Sequence, residues 1–130
     1  MYSKTTNNIN VSVKSYYLEE QSEPDEQHYV WAYQITINNF GKQTVQLKKR
    51  YWKITDSNGA KQEVRGSGVI GEQPILHPGE TYEYTSGAPL STPSGFMEGY
   101  YEMETKDGNM FSVPVPLFSL DSPYSTNQIN

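Results

Sequence analysis

The sequence predicts an all-β protein, an antiparallel β-sandwich of about seven or eight short strands, on three observations. Large apolar side chains recur at every second position through most of the chain, which is the period of a strand with one buried face. Tyrosine, glycine and proline are plentiful, with 11, 10 and 8 of the 130 residues, as expected of aromatic strands joined by turns. No window has convincing helical spacing.

The first strands follow from this alternation. Apolar residues at positions 9, 11 and 13 predict one strand, and residues 29–37, with Tyr, Trp and Ile on odd positions, predict the strongest one. Val45 and Leu47 then lie on odd positions, whereas Trp52 and Ile54 lie on even ones. In a regular strand this one-residue change of phase would turn Trp52 and Ile54 toward water. The change therefore predicts a β-bulge or a strand break among the three basic residues at positions 48–50.

Turn signals separate the remaining strands. Asn58-Gly59 tolerates positive φ and predicts a tight hairpin into residues 60–65. Asp107-Gly108 is a similar signal between the last two strands. Alternation predicts three later strands, around residues 82–84, 97–103 and 111–117.

Strand number and turn spacing together are typical of an immunoglobulin-like or fibronectin type III-like sandwich. Pro114 and Pro116 lie on the parity opposite the apolar set and cannot donate to a ladder, so the last strand is predicted to be an edge strand or to pair on one side only. The length corresponds to a single domain, placed at residues 1–124, with residues 125–130 as a disordered tail.

Composition limits the classes of function. The chain has no cysteine, which excludes disulfides, thiol chemistry and thiolate metal sites and favours a reducing compartment. It also has no apolar stretch long enough to cross a bilayer and no apolar core of a secretion signal at its start. These features predict a soluble cytoplasmic protein with no membrane partner.

The charge is unevenly distributed. The formal net charge is −5, yet residues 42–65 hold seven of the ten basic residues and only two of the fifteen acidic ones. A basic surface on an acidic body disfavours nucleic acid, which needs many phosphate contacts, and fits a small anion or an acidic protein patch. The simpler alternative is that these lysines are the solvated face of two strands, where charge prevents edge-to-edge association.

Residues 66–71 read GSGVIG, which has the glycine spacing of a dinucleotide-binding fingerprint. That fingerprint requires a following helix to hold the pyrophosphate, and here Pro74 follows instead, so no nucleotide cofactor is predicted. The glycines are interpreted first as a compact loop. An alternative remains open, in which the loop amides form an anion-holding nest with added charge from two arginines. Its candidate residues are Arg50, Arg65, Gly66, Ser67, Gly68 and Gly71.

Catalytic and metal-binding patterns are weak. His28 and His77 have no spacing that would bring them together with carboxylates, and the acidic run at residues 19–26 lacks the spacing of a calcium loop. Ser86 has no strand-to-helix elbow and no histidine placed to activate it. We therefore predict no enzyme activity, no catalytic residues, no metal site and no cofactor.

Four separated stretches of the chain resemble the ApaG family: GVIGEQPILHPGETYEYTSGAPLSTPSGFMEGYYEM, SEPDEQHYVWAYQITINNFG, RYWKITDSNG and FSVPVPLFSL. The resemblance spans residues 9–120 and implies a fibronectin type III-like sandwich. It also implies an indirect link to cobalt resistance and magnesium efflux, and protein binding, as in related eukaryotic domains, with no established enzymatic activity. The family's glycine motif corresponds to Gly66, Gly68 and Gly71.

Two hypotheses about function remain. The first is a non-enzymatic module that binds an acidic or extended protein partner, by a sheet face or by strand addition at a free edge. The residues proposed for it are Lys48, Lys49, Lys53, Tyr100 and Tyr101. The second is a sensor of a small phosphorylated anion, pyrophosphate or a nucleotide at the glycine loop. The partner and the oligomeric state are not predicted.

Overall fold

The computed structural model describes residues 2–125, in which nine strands form two antiparallel sheets. One sheet has the order β1-β2-β3-β7, and the other has the order β5-β4-β8-β9, with the short β6 also paired to β4. The strands are β1 (Tyr2–Thr6), β2 (Ile9–Tyr17), β3 (Tyr29–Asn39), β4 (Val45–Asp56), β5 (Lys61–Ser67), β6 (Ile75–Leu76), β7 (Thr81–Leu90), β8 (Gly95–Thr105) and β9 (Met110–Leu120). The predicted all-β sandwich is confirmed.

Two of the nine strands were not predicted from the sequence. β1 is exposed along most of its length and turns into β2 through Asn7 and Asn8, which both have positive φ, 49° and 66°. β6 is only two residues long and lies within the loop that follows β5. The only helical segments among the described residues are single 3-10 turns at Glu19–Gln21 and Pro24–Glu26, and none there is long and apolar enough to cross a bilayer.

The predicted phase slip in β4 is a β-bulge. Leu47 pairs with Met103 and Lys49 pairs with the preceding residue of β8, Glu102, so that Lys48 is the additional residue. The bulge keeps the apolar residues on both sides of it in the core, because Leu47 and Trp52 are both buried. It also sets the direction of the residues between them.

The proline-containing edge agrees with the sequence. β9 pairs only with β8 and is an edge strand, as Pro114 and Pro116 predicted. A second bulge follows in β9, where two residues lie opposite Glu98. Residues 126–130 of the predicted disordered tail lie outside the described residues, and the Ser125 hydroxyl donates to the Pro93 carbonyl oxygen at 3.2 Å.

Three tyrosines form a polar cluster inside the sandwich. Tyr84 and Tyr101 share a hydrogen bond between their hydroxyl groups at 2.5 Å, and Tyr33 lies nearby, next to Ser86. All three are buried, with at most 5% of each residue exposed. Burial raises the pKa of each phenol because the phenolate is poorly solvated there.

Candidate functional site: a basic aromatic sheet face

The outer surface of β5, β4 and β8 gathers cationic and aromatic side chains, with the acidic Glu63, Glu98 and Glu102 between them. Because the bulge precedes them, Lys49, Tyr51 and Lys53 of β4 lie on the face opposite the buried Trp52. Arg65 of β5 is in register with Tyr51, and so is Tyr100 of β8. We call this surface, defined by these five residues, the basic face.

Tyr51 is the centre of a stack on the basic face. The Arg65 guanidinium carbon lies 4.6 Å from the centroid of the Tyr51 ring, and the Tyr51 and Tyr100 rings are 5.0 Å apart. The Tyr51 hydroxyl donates to Glu63 Oε2 at 2.5 Å, and this bond raises the Tyr51 pKa. These contacts hold Tyr51 in one orientation, so that Arg65, Tyr51 and Tyr100 form a preordered platform.

The cations around this platform fall into two groups. Lys53 lies 3.7 Å from Glu98, and Lys48 lies 4.0 Å from Glu104. Lys49 and Arg65, in contrast, are exposed and have no acidic partner within 4 Å among the described residues. Two cations on the basic face are therefore available to pair with an external carboxylate or phosphate.

A shallow groove of about 440 Å³ crosses the basic face. Its lining residues are Lys49, Arg50, Tyr51, Arg65, Gly66, Ser67, Tyr100 and Glu102. The groove thus brings together residues that the sequence assigned separately to anion binding and to partner binding. Gly68 and Gly71 do not line it.

The GSGVIG loop is a closed turn. Val69 and Glu72 exchange two backbone hydrogen bonds, of 2.8 and 2.9 Å, around Ile70 and Gly71, whose φ angles are 42° and 81°. Positive φ at both central positions is the geometry of a type I′ turn, which favours glycine. Gly68 has a φ of 62°, and a Cβ there would lie 2.0 Å from the Glu72 carbonyl oxygen.

The Gly68 amide, the Gln73 side chain and Arg50 are also used internally. The Gly68 amide donates to the Lys48 carbonyl oxygen at 2.9 Å, and Gln73 Nε2 donates to the same oxygen at 3.0 Å. Arg50 lies on the parity of Trp52, and its Nη1 donates to the Gly68 carbonyl oxygen at 2.8 Å. Because Gly66 has no side chain, the Arg50 guanidinium can lie against it, where a Cβ would be 2.8 Å from Nη1. The loop therefore points the carbonyl groups of Ser67 and Gly68 at Arg50, and its Gly68, Val69 and Glu72 amides already have acceptors within the chain.

Tyr101 does not belong to the basic face. The sequence showed that one member of the Tyr100–Tyr101 pair had to point outward, and both were included among the partner-binding candidates. Tyr101 is fully buried and bonded to Tyr84, whereas Tyr100 packs against Tyr51 on the outside. Sequence reasoning also missed Tyr51, although the phase slip places it outward between Lys49 and Lys53.

The histidines do not form a site with the acidic residues. His77 Nδ1 lies 2.9 Å from Glu80 Oε1, three residues along an exposed turn, and the bond from the His77 backbone amide to that carboxylate lowers the Glu80 pKa. Among residues 2–125, no three His, Asp or Glu side chains are grouped so that they could hold a metal ion.

The comparisons with known proteins agree with this architecture. The family model described as ApaG domain (DUF525) matches residues 19–105. The chain belongs to the ApaG family. It is 58% identical to Protein ApaG of Parvibaculum lavamentivorans and 57% identical to Protein ApaG of Paramagnetospirillum magneticum, each over 100% of both chains. The crystal structure of the Bordetella pertussis protein named ApaA is similar over 93% of this chain and 98% of that one, with 47% identity and a TM-score of 0.88.

Proposed function

We propose that this ApaG-family chain is a non-enzymatic, cytoplasmic protein-interaction module that binds an acidic segment of a partner on its basic face. The observation that carries the proposal is the stack of Arg65, Tyr51 and Tyr100 beside Lys49. Neither cation, Lys49 or Arg65, has an acidic partner within 4 Å among the described residues. Tyrosine and arginine are the residues in which binding energy at protein interfaces concentrates. A preordered platform also reduces the side-chain entropy lost on binding.

The shape and charge of the site favour a protein segment over other anionic ligands. The acidic remainder of the chain would repel a long polyanion beyond the basic face. A groove of about 440 Å³ with an aromatic floor offers a peptide contacts along its length. If members of the family influence cobalt or magnesium levels, this proposal assigns the effect to the bound partner.

A small phosphorylated anion is the second candidate ligand. Lys49, Arg65 and the exposed Ser67 line the same groove, and this cluster is the observation that favours it. Binding would then use these side chains in place of a nest of loop amides. Titration with pyrophosphate separates the two candidates, because saturable amide shifts confined to residues 65–67 at millimolar ligand support the small anion.

The proposal is tested by site-specific photocrosslinking in cells. A benzoylphenylalanine at position 100 replaces Tyr100 in the platform, and one at position 85 replaces Thr85 on the exposed face of the other sheet. We expect a discrete protein adduct at position 100 and none at position 85. The double substitution Lys49→Glu and Arg65→Glu should reduce the adduct by about tenfold or more, because it replaces two attractive charges with repulsive ones.

A matched substitution controls for a general effect of charge. Lys14 lies 5.7 Å from the centroid of the Tyr16 ring on the outer face of the other sheet, so Lys14→Glu also removes an exposed cation–π contact. It should leave the adduct at position 100 unchanged. The proposal is wrong if the Lys49→Glu and Arg65→Glu variant, with its urea unfolding midpoint unchanged, forms the adduct as well as the unmodified chain.

A further inference from the structure

β5 is an open edge of its sheet with unused backbone donors. At one end of the β4–β5 ladder the Gly68 amide donates to Lys48, and at the other the Asp56 amide donates to the Ala60 carbonyl. The backbone N–H and C=O groups alternate in direction along an antiparallel strand. Those of the even-numbered residues of β5 therefore point toward β4, and those of the odd-numbered residues point away from it. Four amides therefore point outward without a partner within residues 2–125: those of Lys61, Glu63, Arg65 and Ser67.

The other edges are less suited to an additional strand. In β9 the same alternation places the nitrogen of Pro114 on the free side, and the second bulge interrupts the strand after it. β1 is only five residues long. β7 has free amides up to Pro89, but its one charged residue is Glu83, so it would not attract an acidic segment. Among the described strands, β5 alone combines a continuous free edge with the cations of the basic face.

A cleft lies beneath the free edge of β5. It has a volume of about 200 Å³ and opens between β5 and β7, the two edge strands on this side of the sandwich. Its lining is mostly apolar, with Trp52, Val64 and Met97 among the apolar residues, and includes the polar or charged Tyr33, Arg50, Gln62 and Ser86. An added strand would place alternate side chains over this cleft and the others beside Lys61 and Arg65.

We propose that the partner segment binds as a β-strand added antiparallel to β5, with acidic side chains on the outer face and apolar ones over the cleft. This inference rests on the proposed function and specifies the chemistry of the partner. The outer positions of β5 carry Lys61, Glu63 and Arg65, a net positive edge that two carboxylates complement. The β5 edge of a second copy of the chain would also be net positive, so it would complement this edge less well than an acidic segment.

A synthetic heptapeptide tests the inference directly. The probe is acetyl-Thr-Ile-Glu-Val-Lys-Val-Glu-amide, which places Glu opposite Arg65, Lys opposite Glu63 and Glu opposite Lys61, with apolar residues opposite Val64 and its even-numbered neighbours. The matched control peptide is N-methylated at the Glu and the Lys that face Arg65 and Glu63. It keeps every charge and side chain but lacks two of the backbone donors required by a ladder.

We expect the unmethylated peptide to shift β5 amide resonances saturably, with a dissociation constant below about 1 mM. Hydrogen exchange should slow by about tenfold or more at Lys61, Glu63 and Arg65, because their amides acquire acceptors. The N-methylated peptide should bind about tenfold or more weakly. The substitution Arg65→Glu should weaken binding of the probe. A peptide with Lys in place of the Glu opposite position 65 should restore binding to that variant, and this rescue would establish the register of the added strand.

Three results would overturn strand addition. The first is the absence of β5 shifts at 5 mM probe, and the second is equal binding of the two peptides. The third is slow exchange at Lys61, Glu63 and Arg65 without peptide, together with a dimer mass in sedimentation, which would assign the edge to a second copy. If the two peptides bind equally but the photocrosslinked protein adduct at position 100 is still formed, only strand addition is wrong. If no adduct forms at position 100, the proposed function itself is wrong.

Discussion

Gly68→Ala is expected to destabilise the protein by about 3 kcal/mol or more. The residue is buried with a φ of 62°, and the new Cβ would lie 2.0 Å from the Glu72 carbonyl oxygen and 2.8 Å from its carbon. Left-handed backbone costs a non-glycine residue roughly 1–2 kcal/mol. The clash must then displace Glu72 and weaken its two backbone bonds to Val69. Urea unfolding monitored by tryptophan fluorescence measures the loss.

Gly71→Ala separates the two components of this prediction. Gly71 has a φ of 81° in the same turn, but a Cβ there would meet nothing within 4 Å. The variant should therefore lose about 1 kcal/mol from backbone strain alone. If the two variants lose equal stability, the close approach of Gly68 to Glu72 does not contribute to the cost of the substitution. Steric crowding would then not explain why position 68 is a glycine.

The second large effect is a steep loss of stability at alkaline pH. Burial raises the pKa of Tyr33, Tyr84 and Tyr101 in the folded chain, whereas in the unfolded chain each phenol ionises near its ordinary value of about 10. Above that pH the unfolded state binds fewer protons than the folded state, so the free energy of unfolding falls as pH rises. The contribution is fully present below about pH 10 and is lost as the pH climbs toward the folded-state pKa values.

The double variant Tyr84→Phe and Tyr101→Phe identifies the source of this alkaline loss. It removes both partners of one hydrogen bond, so it should change stability little at pH 7, whereas either single substitution leaves a buried hydroxyl unpaired and should cost about 1–3 kcal/mol. Urea unfolding at pH 7 and pH 11 measures both effects. The double variant should lose less stability over this interval than the unmodified chain, and an equal loss in the two proteins would show that other groups are responsible.

Much of the fold follows from local patterns that the structure retains. The alternation of residues 29–37 covers all but the last two residues of β3, and the phase slip after Leu47 is the bulge at Lys48. Both could be predicted because a buried face imposes a two-residue period on the sequence. β1 could not, because its exposed residues are not selected by a core and resemble a polar tail.

The site was only partly predictable from the sequence. Tyr100 and Tyr101 could have been distinguished, because Tyr101 shares its parity with the apolar Met97 and Met103. The position of Arg50 could not be predicted, because Arg50 lies inside the loop of glycines only if Lys48, and not one of its basic neighbours, is the extra residue. A long-range pairing decides that case, and a single sequence contains no record of it.

The bulge in β4 and the glycine loop are structurally coupled. The carbonyl of the extra residue, Lys48, accepts both the Gly68 amide and the Gln73 side chain. Deleting Lys48 would leave a regular strand with the same residues inside, yet it would remove the anchor of a loop that lies some twenty positions further along the chain. An engineer who grafts this loop onto another sandwich must therefore graft the bulge with it, and a search for distant relatives gains specificity by requiring both.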